Sequence, residues 1–305
     1  MDKIDIFNLL VGITGDPDRV QMDVPMSEHT TFRTGGPADL MVQPSGTEEL
    51  VKLILALRGD QVPYYILGRA SNVLVTDKGY RGVIINIDKE MAAVSVTGNT
   101  LTAQAGASLS TAARVAYEHS LQGMEFASGI PGSVGGAVYM NAGAYGGEMK
   151  QILSSVTAVT EDGKVVRYGA ADLDLGYRHS IFENIRAVIT EATMTLRHGK
   201  QQEIMDLMKD LAERRRAKQP LNLPSAGSTF KRPPGHFAGQ LIDEAQMRGA
   251  SVGGAQVSPK HAGFIVNNGG ATSRDILELI ALVQMRVKEN SGIDLEREVR
   301  VIGED

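Results

Sequence analysis

Apolar positions along this chain follow two spacings, one helical and one strand-like, and each change of spacing marks an element. A short leading helix within residues 1–25 is interrupted by Gly12 and Gly15 and closes near Pro17. Residues 30–36, TTFRTGG, turn into a strand that ends at Pro44. Thr47 is placed to cap a helix with Glu48 and Glu49 in its first turn and Leu50, Ile54 and Leu57 on one face, stopped by Gly59. A buried strand at 62–68, a turn into a second strand and a third at 82–87 give a β–α–β pattern in a small mixed sheet. From about residue 92 strands alternate, and a helix from Ser108 sets Leu109, Ala112, Ala113, Ala116 and Tyr117 toward a core. Strands are expected at 153–160, 164–168 and 187–196, then a polar amphipathic helix over 201–218 with Ile204, Leu207, Met208 and Leu211 at helical spacing. The last third reads as a separate α/β unit. It has a helix through Leu241, Ile242 and Ala245, strands at 252–258 and 261–268, a helix capped by Ser273 and stopped at Gly292, and a closing strand over 294–303.

One segment obeys neither spacing. Residues 126–147, FASGIPGSVGGAVYMNAGAYGG, are rich in glycine and carry no charge. Ile130, Val134, Val138, Tyr139 and Met140 are interleaved, which marks folded backbone rather than a linker. Glycine at this density implies positive φ angles or a partner lying close against the main chain. N–H groups in tight glycine turns form sockets for anions, a phosphate diester above all. Tight turns between short strands account for the same residues, and spacing leaves both readings open.

Composition narrows the classes. A chain of 305 residues can hold two or three domains with real cores. A net charge of -5 counts against bulk nucleic-acid binding. The absence of cysteine removes disulfides, thiolate catalysis and cysteine-held metal centres. The first residues show no basic region leading into a long apolar core, and no apolar run approaches a membrane span, so a cytoplasmic protein with no membrane partner is expected. The 34 glycines exceed the usual share of about 7% and favour a backbone-lined cleft. Neither G-x-G-x-x-G nor G-x-x-x-x-G-K-[ST] occurs, and the six histidines form no metal pattern, so no metal is expected.

Four further features could carry chemistry, each with a plain alternative. The turn Gly68-Arg69-Ala70-Ser71-Asn72 could grip a phosphate or a ring edge, or be a simple β-turn. Arg178, between Tyr177 and His179-Ser180, suits a carboxylate or phosphate through its fixed fork of donors, or a surface ion pair. Ser228, on the glycine-backed loop AGSTFK, could donate a proton, or be merely solvated. Glu298 lies on the strand face shared with Glu296 and Arg300, opposite Leu295, Val299 and Val301, facing either a cleft or solvent. The run Arg214-Arg215-Arg216 with Lys218 could bind an anion or simply complement a helix dipole.

In order along the chain, TTFRTGGPAD, LGRASNVLV, GIPGSVGGAVYMNAGAYG, YRHSIF, AGSTFKRP, GGAQVSPKHAGFIVN and LEREVRVIG resemble the signatures of the UDP-N-acetylenolpyruvoylglucosamine reductase family. The likeness extends from about residue 24 to the end. It implies an α+β fold: a two-part FAD-binding region of the vanillyl-alcohol-oxidase (PCMH) type and a C-terminal α/β substrate-binding domain. The corresponding division is 1–88, 89–200 and 201–305. It also implies bound FAD held by Gly68, Arg69, Ala70, Ser71, Asn72, Ser128, Gly129, Gly132, Ser133, Gly135, Gly136, Asn141 and Gly143. NADPH would be the reductant and a UDP-sugar the substrate, in peptidoglycan precursor synthesis. Arg178 and Glu298 match the residues that stabilise developing charge, and Ser228 matches the proton donor. Tyr177, Lys218 and Arg232 fall at substrate-contacting positions, although one branch of the family has asparagine where Arg232 stands. That branch also carries a long insertion after the arginine motif, which RHSIFENIRAVIT lacks, so this chain resembles the shorter second type. A monomer or weak homo-oligomer is expected. Two other readings stay open: an FAD-dependent alcohol oxidase of the same fold, and a non-catalytic sugar-nucleotide or RNA-binding module using Arg214–Arg216.

Overall fold

A computed structural model describes residues 1–304, which form two compact units. The first comprises 1–22, 40–69 and 82–215, and the second 23–39, 70–81 and the described residues from 216 onward. The chain thus passes between them five times.

In the first unit, helix α1 (Lys3–Thr14) opens on a capping box between Asp2 and Asp5 and closes on Gly15 in the left-handed conformation. Gly12 lies inside this helix and does not interrupt it. Helix α2 (Thr47–Gly59) is preceded by Gly46 at the N-cap, so Thr47 is its first residue rather than its cap. The reason lies in Glu49. Its carboxylate accepts the Ser45 N–H at 2.9 Å and a two-point pair from Arg19, Nη1 to Oε2 at 2.6 Å and Nη2 to Oε1 at 3.1 Å. Burial alone would raise the Glu49 carboxyl, but the bonds from Arg19 and Ser45 outweigh it and hold it at about 2. Because the folded value lies below the unfolded one, this tether is fully present above the ordinary glutamate value of 4.5 and fades as pH falls toward 2. Glu49→Gln is expected to flatten acid unfolding across that window in a urea series; an unchanged acid limb would remove the pair from the stability balance.

Two sheets build the core of this unit. Strands Val20–Pro25, Pro37–Val42, Tyr80–Asn86 and Tyr64–Leu67 lie in that order, with Tyr64–Leu67 parallel to Val83–Asn86. An antiparallel sheet runs Val165–Gly169, Leu153–Thr160, Ala187–Thr195, Thr100–Gln104, Val94–Thr97. Helix α3 (Leu109–Glu118) is capped by Ser108, whose hydroxyl accepts the Thr111 N–H, and buries Leu109, Ala112, Ala113 and Ala116 as its spacing requires. A short helix, α4 (Val134–Tyr139), stands inside the glycine-rich stretch. Helix α5 (Gln201–Lys218) buries Ile204 and Leu211 but leaves Leu207 exposed, so its apolar face is narrower than its spacing suggests.

The second unit has its own core around Phe32, Leu74, Ile242, Val257, Ile276, Leu279, Val283 and Val299. Helix α6 (Ala238–Glu244) and helix α7 (Ser273–Ser291) pack with the sheet Ser251–Val252, Ala255–Val257, Ile265–Asn267. Thr272, not Ser273, caps α7, in a box with Asp275; Gly292 ends it as expected. Asp77 closes the remaining donors, accepting Ser273 N–H at 2.8 Å and Arg274 N–H at 3.1 Å. The strand Val73–Val75 does not join the β–α–β sheet that its neighbours suggested. It pairs in parallel with Arg300–Ile302 at the end of the chain. Among the described residues no helix is long and apolar enough to cross a membrane.

Candidate functional site

The glycine-rich stretch is folded backbone pressed against residues 105–109. Leu109 N–H donates to Gly132 O at 3.0 Å, Val134 N–H to Ala107 O at 2.8 Å and Gly135 N–H to Ala105 O at 2.8 Å. These bonds consume donors that the sequence pattern offered to an anion. Side chains have no room there: a Cβ on Gly135 would lie 2.8 Å from Ala105 Cβ, and one on Gly68 would lie 2.4 Å from Ser133 Oγ. The close approach of Gly68 to Ser133 brings the turn after strand Tyr64–Leu67 onto the start of α4. Ser133 is buried and caps α4 through Gly136 N–H, and Ser128 Oγ donates to Glu125 O at 2.8 Å. Gly129 and Gly136 stay exposed and present bare main chain. Arg69 faces Asp88 at 3.4 Å, and Arg215 donates to Gly129 O. Bare glycine backbone with guanidinium groups beside it fits the diphosphate and ring of a dinucleotide such as FAD, which would bring its own negative charge.

Asn141 ties this stretch to the arginine motif. Wholly buried at 1% exposure, its amide donates to Gly176 O at 2.9 Å and Glu148 Oε2 at 3.1 Å, and its carbonyl accepts Lys150 N–H at 2.8 Å. Its side chain therefore holds protein rather than reaching outward. Gly176–His179 closes a tight turn through mutual backbone bonds of 3.1 and 3.2 Å. Arg178 sits in it at φ 55, a left-handed conformation that costs a β-carbon residue about 1 kcal/mol or more. His179 steadies the turn from outside, Nδ1 to Glu183 at 2.6 Å and Nε2 to Asp174 at 3.1 Å; bonds to Glu183 first and then Asp174 raise the imidazole and favour its charged form. The Arg178 guanidinium lies 5.0 Å from the centroid of the half-exposed Tyr177 ring. The one-turn helix Ile181–Glu183 then leads straight into the strand Ala187–Thr195, with no inserted subdomain.

In the second unit, Ser228 and Glu298 come from segments that lie side by side. Glu298 N–H donates to Thr229 O at 2.8 Å, Lys231 N–H donates to Glu296 O at 2.8 Å, and Phe230 bridges Arg297. Gly227, at φ 74, turns the loop into this pairing. Thr229 is fully buried and locked by Gly263 O and Ile265 N–H, which leaves half-buried Ser228 on a rigid base. Asn72 holds the other side of the Glu298 segment, its side-chain amide donating to Glu298 O at 3.1 Å while its main-chain carbonyl accepts Arg300 N–H at 3.0 Å. Ala70 turns this loop at φ 47, and half-buried Ser71 sits between them. Arg232 is exposed and stacks 4.5 Å from the exposed Phe237 ring, and Lys218 is exposed at the end of α5. The structural duties of Asn141 and Asn72 were not visible in sequence; their positions next to a glycine run and a β-turn were the only signals.

A glycine-lined surface tied to an arginine turn in one unit, and a serine loop paired through its main chain with a glutamate segment in the other, are compatible with a flavin-dependent oxidoreductase. Comparison with known proteins agrees. Residues 38–169 match the family model of the FAD binding domain, and 219–302 match that of the UDP-N-acetylenolpyruvoylglucosamine reductase C-terminal domain. The chain is 48% identical over 289 residues to the UDP-N-acetylenolpyruvoylglucosamine reductase of Syntrophomonas wolfei, covering 95% of this chain and 97% of that one. It is 47% identical to that of Alkaliphilus oremlandii over the whole of both chains. The crystal structure of the Thermus caldophilus enzyme superposes with a TM-score of 0.79 at 35% identity, covering 92% of this chain and 97% of that one. The chain belongs to the UDP-N-acetylenolpyruvoylglucosamine reductase family. Its fold is α+β, with an FAD-binding region of the vanillyl-alcohol-oxidase type and a C-terminal domain specific to the family.

Proposed function

We propose that this chain reduces UDP-N-acetylenolpyruvoylglucosamine to UDP-N-acetylmuramate with NADPH, through bound FAD, in peptidoglycan precursor synthesis. The observation that carries this is identity near one half over essentially the full length of the family's members, N-terminal and C-terminal parts alike. FAD, when bound, would supply the hydride chemistry that links NADPH to the enolpyruvyl methylene. What falls to the chain is the charge and the proton. Arg178 stabilises the carbanionic charge that develops beside the substrate carboxylate, and Glu298, as a protonated carboxyl, would do so by donating a hydrogen bond. The rigid turn around Arg178 suits this role, because a preorganised donor need not reorient as charge forms. Ser228 donates the proton to C2. A neutral serine is a weak acid, so the basicity of the enolate and the neighbouring charges supply the drive. Gly68 to Asn72, Ser128, Gly129, Gly132, Ser133, Gly135, Gly136 and Gly143 form the FAD-binding set. Asn141 supports it from within. Tyr177, Lys218 and Arg232 face substrate. We read the chain as two FAD-binding subdomains and a substrate domain, working in the cytoplasm as a monomer or weak homo-oligomer.

An alcohol oxidase of the same fold needs no proton donor at Ser228, and its C-terminal third would differ; the match over 219–302 speaks against it. A binding module that relies on Arg214–Arg216 predicts no flavin. The purified protein is expected to show a flavin band that bleaches anaerobically with NADPH and returns on adding the enolpyruvyl sugar nucleotide. A colourless protein that takes up no FAD sinks the reductase. A band restored by oxygen but not by the sugar nucleotide points to the oxidase.

A further inference from the structure

The turn that carries Arg178 is held in a shape its own residues resist. Gly176 and His179 exchange main-chain bonds of 3.1 and 3.2 Å, which leaves Tyr177 and Arg178 at the tip. Arg178 follows Tyr177 at φ 55, a place in a tight turn that glycine or asparagine fills without strain. An arginine stays there only if the ends of the turn are held from outside it.

Two clasps hold them. On one side buried Asn141 binds Gly176 O, and Lys150 Nζ donates to the preceding Leu175 O at 2.8 Å. On the other side the His179 ring spans the base of the turn, with Nδ1 2.6 Å from Glu183 Oε2 and Nε2 3.1 Å from Asp174 Oδ2. Asp174 comes before the turn, itself left-handed at φ 45, and Glu183 lies in the one-turn helix after it. A carboxylate only accepts hydrogen bonds, so both ring nitrogens must carry a proton for both contacts to stand. Neutral imidazole has one N–H and turns a lone pair toward the other carboxylate. The outer clasp is therefore complete only as imidazolium. The charged and titratable groups around the turn are Asp174, Glu183, Tyr177 and Arg178, with Lys150 and Glu148 on the Asn141 side and Asp172, which accepts Gly169 N–H, just before it. Of all these residue types, histidine alone ordinarily changes charge between about pH 5 and 8.

We propose that His179, as imidazolium, is a positioning residue for Arg178, so that the substrate half-reaction weakens when this ring loses its proton while the NADPH half-reaction does not. The inference rests on the function proposed above, in which Arg178 meets the charge that develops on the substrate. With the outer clasp open, the turn relaxes toward ordinary backbone and the guanidinium must reorient as that charge forms. The direction with pH follows from the two carboxylates. Bonds to Glu183 and then Asp174 raise the imidazole above its ordinary 6.5, so the clasp is whole below that value and is lost as pH rises through the folded one.

The test uses the flavin-loaded full chain. NMR of ring-labelled histidine is expected to show His179 protonated at both nitrogens at about pH 6 and titrating above 6.5. A ring that titrates at or below 6.5 overturns the proposal. Anaerobic stopped flow then follows each half-reaction from about pH 6 to 9. With the enolpyruvyl sugar nucleotide, His179→Gln is expected to reoxidise about tenfold more slowly than the unaltered protein at the acid end. At the alkaline end, where the unaltered ring is neutral too, the two rates are expected to converge. His179→Arg, whose fork serves both carboxylates without titrating, is expected to keep pace at the acid end and overtake the unaltered protein at the alkaline end. Reduction by NADPH is expected to be unaffected in both variants, and a loss there in step with the substrate half-reaction overturns the proposal. A rate ratio of His179→Gln to unaltered protein that stays flat with pH marks a merely structural role and overturns it as well. So does a His179→Arg profile that falls together with the unaltered one, which assigns the pH dependence to another group such as Glu298. Should one variant fail to fold, the other decides. A protein whose flavin the sugar nucleotide reoxidises at no pH fails the proposed function first, while the ring titration still reads the clasp, so the two failures are distinct.

Discussion

In Ser228→Ala, NADPH is expected to bleach the flavin at a rate close to that of the unaltered protein, while reoxidation by the enolpyruvyl sugar nucleotide is expected to slow by about 10²–10⁴-fold, the range in which a positioned general acid acts. The split follows from placement. Ser228 stands on a loop fixed by Thr229, at 0% exposure, and paired with the Glu298 segment, so losing one hydroxyl disturbs no packing. Hydride transfer from NADPH asks nothing of that hydroxyl. Glu298→Gln is expected to show the same split to a smaller degree, since the amide keeps the shape and a hydrogen-bond donor but not the acidic proton. Stopped-flow traces at two wavelengths separate the half-reactions. Equal loss in both would falsify the proton-donor role of Ser228.

The second large effect is expected at a residue that touches no substrate. Asn141→Ala leaves Lys150 N–H and one Glu148 oxygen without the Asn141 partner each now has, and leaves Gly176 O with the His179 N–H alone. A buried group stripped of its partner costs about 1–3 kcal/mol, and neighbours recover part of it, so a loss of about 3 kcal/mol is expected. At roughly 2–4 °C per kcal/mol for a domain of this size, thermal unfolding moves down by about 6–12 °C. Because Gly176 opens the turn that carries Arg178, the substrate half-reaction suffers more than the NADPH half-reaction, beyond what stability explains. A melting point within a degree of the unaltered protein would show that Asn141 is not the tie described here.

Local signals were read well where one segment carries its own reason. The start of α3 at Ser108, the buried face Leu109, Ala112, Ala113 and Ala116, and Gly292 ending α7 follow from spacing and hydrogen-bond chemistry within a few residues. Thr47 and Ser273 were misread by one position at a helix start. In each case several adjacent residues could cap, and the outcome depended on distant partners, Arg19 for Glu49 and Asp77 for α7. Leu207 was misread because periodicity gives an apolar face but not how much of it a neighbour covers.

The sequence by itself determined the order of elements, the glycine surface, the absence of thiol chemistry, and, through seven ordered motifs, the family. Those are properties of residue type and short spacing. Only the tertiary structure decided that Val73–Val75 pairs with Arg300–Ile302, that Asn72 and Thr229 flank Glu298, that Asn141 anchors the Arg178 turn, and that one arginine of three faces the glycines. Each joins residues from distant parts of the chain, or picks one of several equivalent side chains by the direction a helix gives it. A hydrogen bond across 226 residues of sequence leaves no periodic trace, because it is satisfied by geometry that the whole fold must first create.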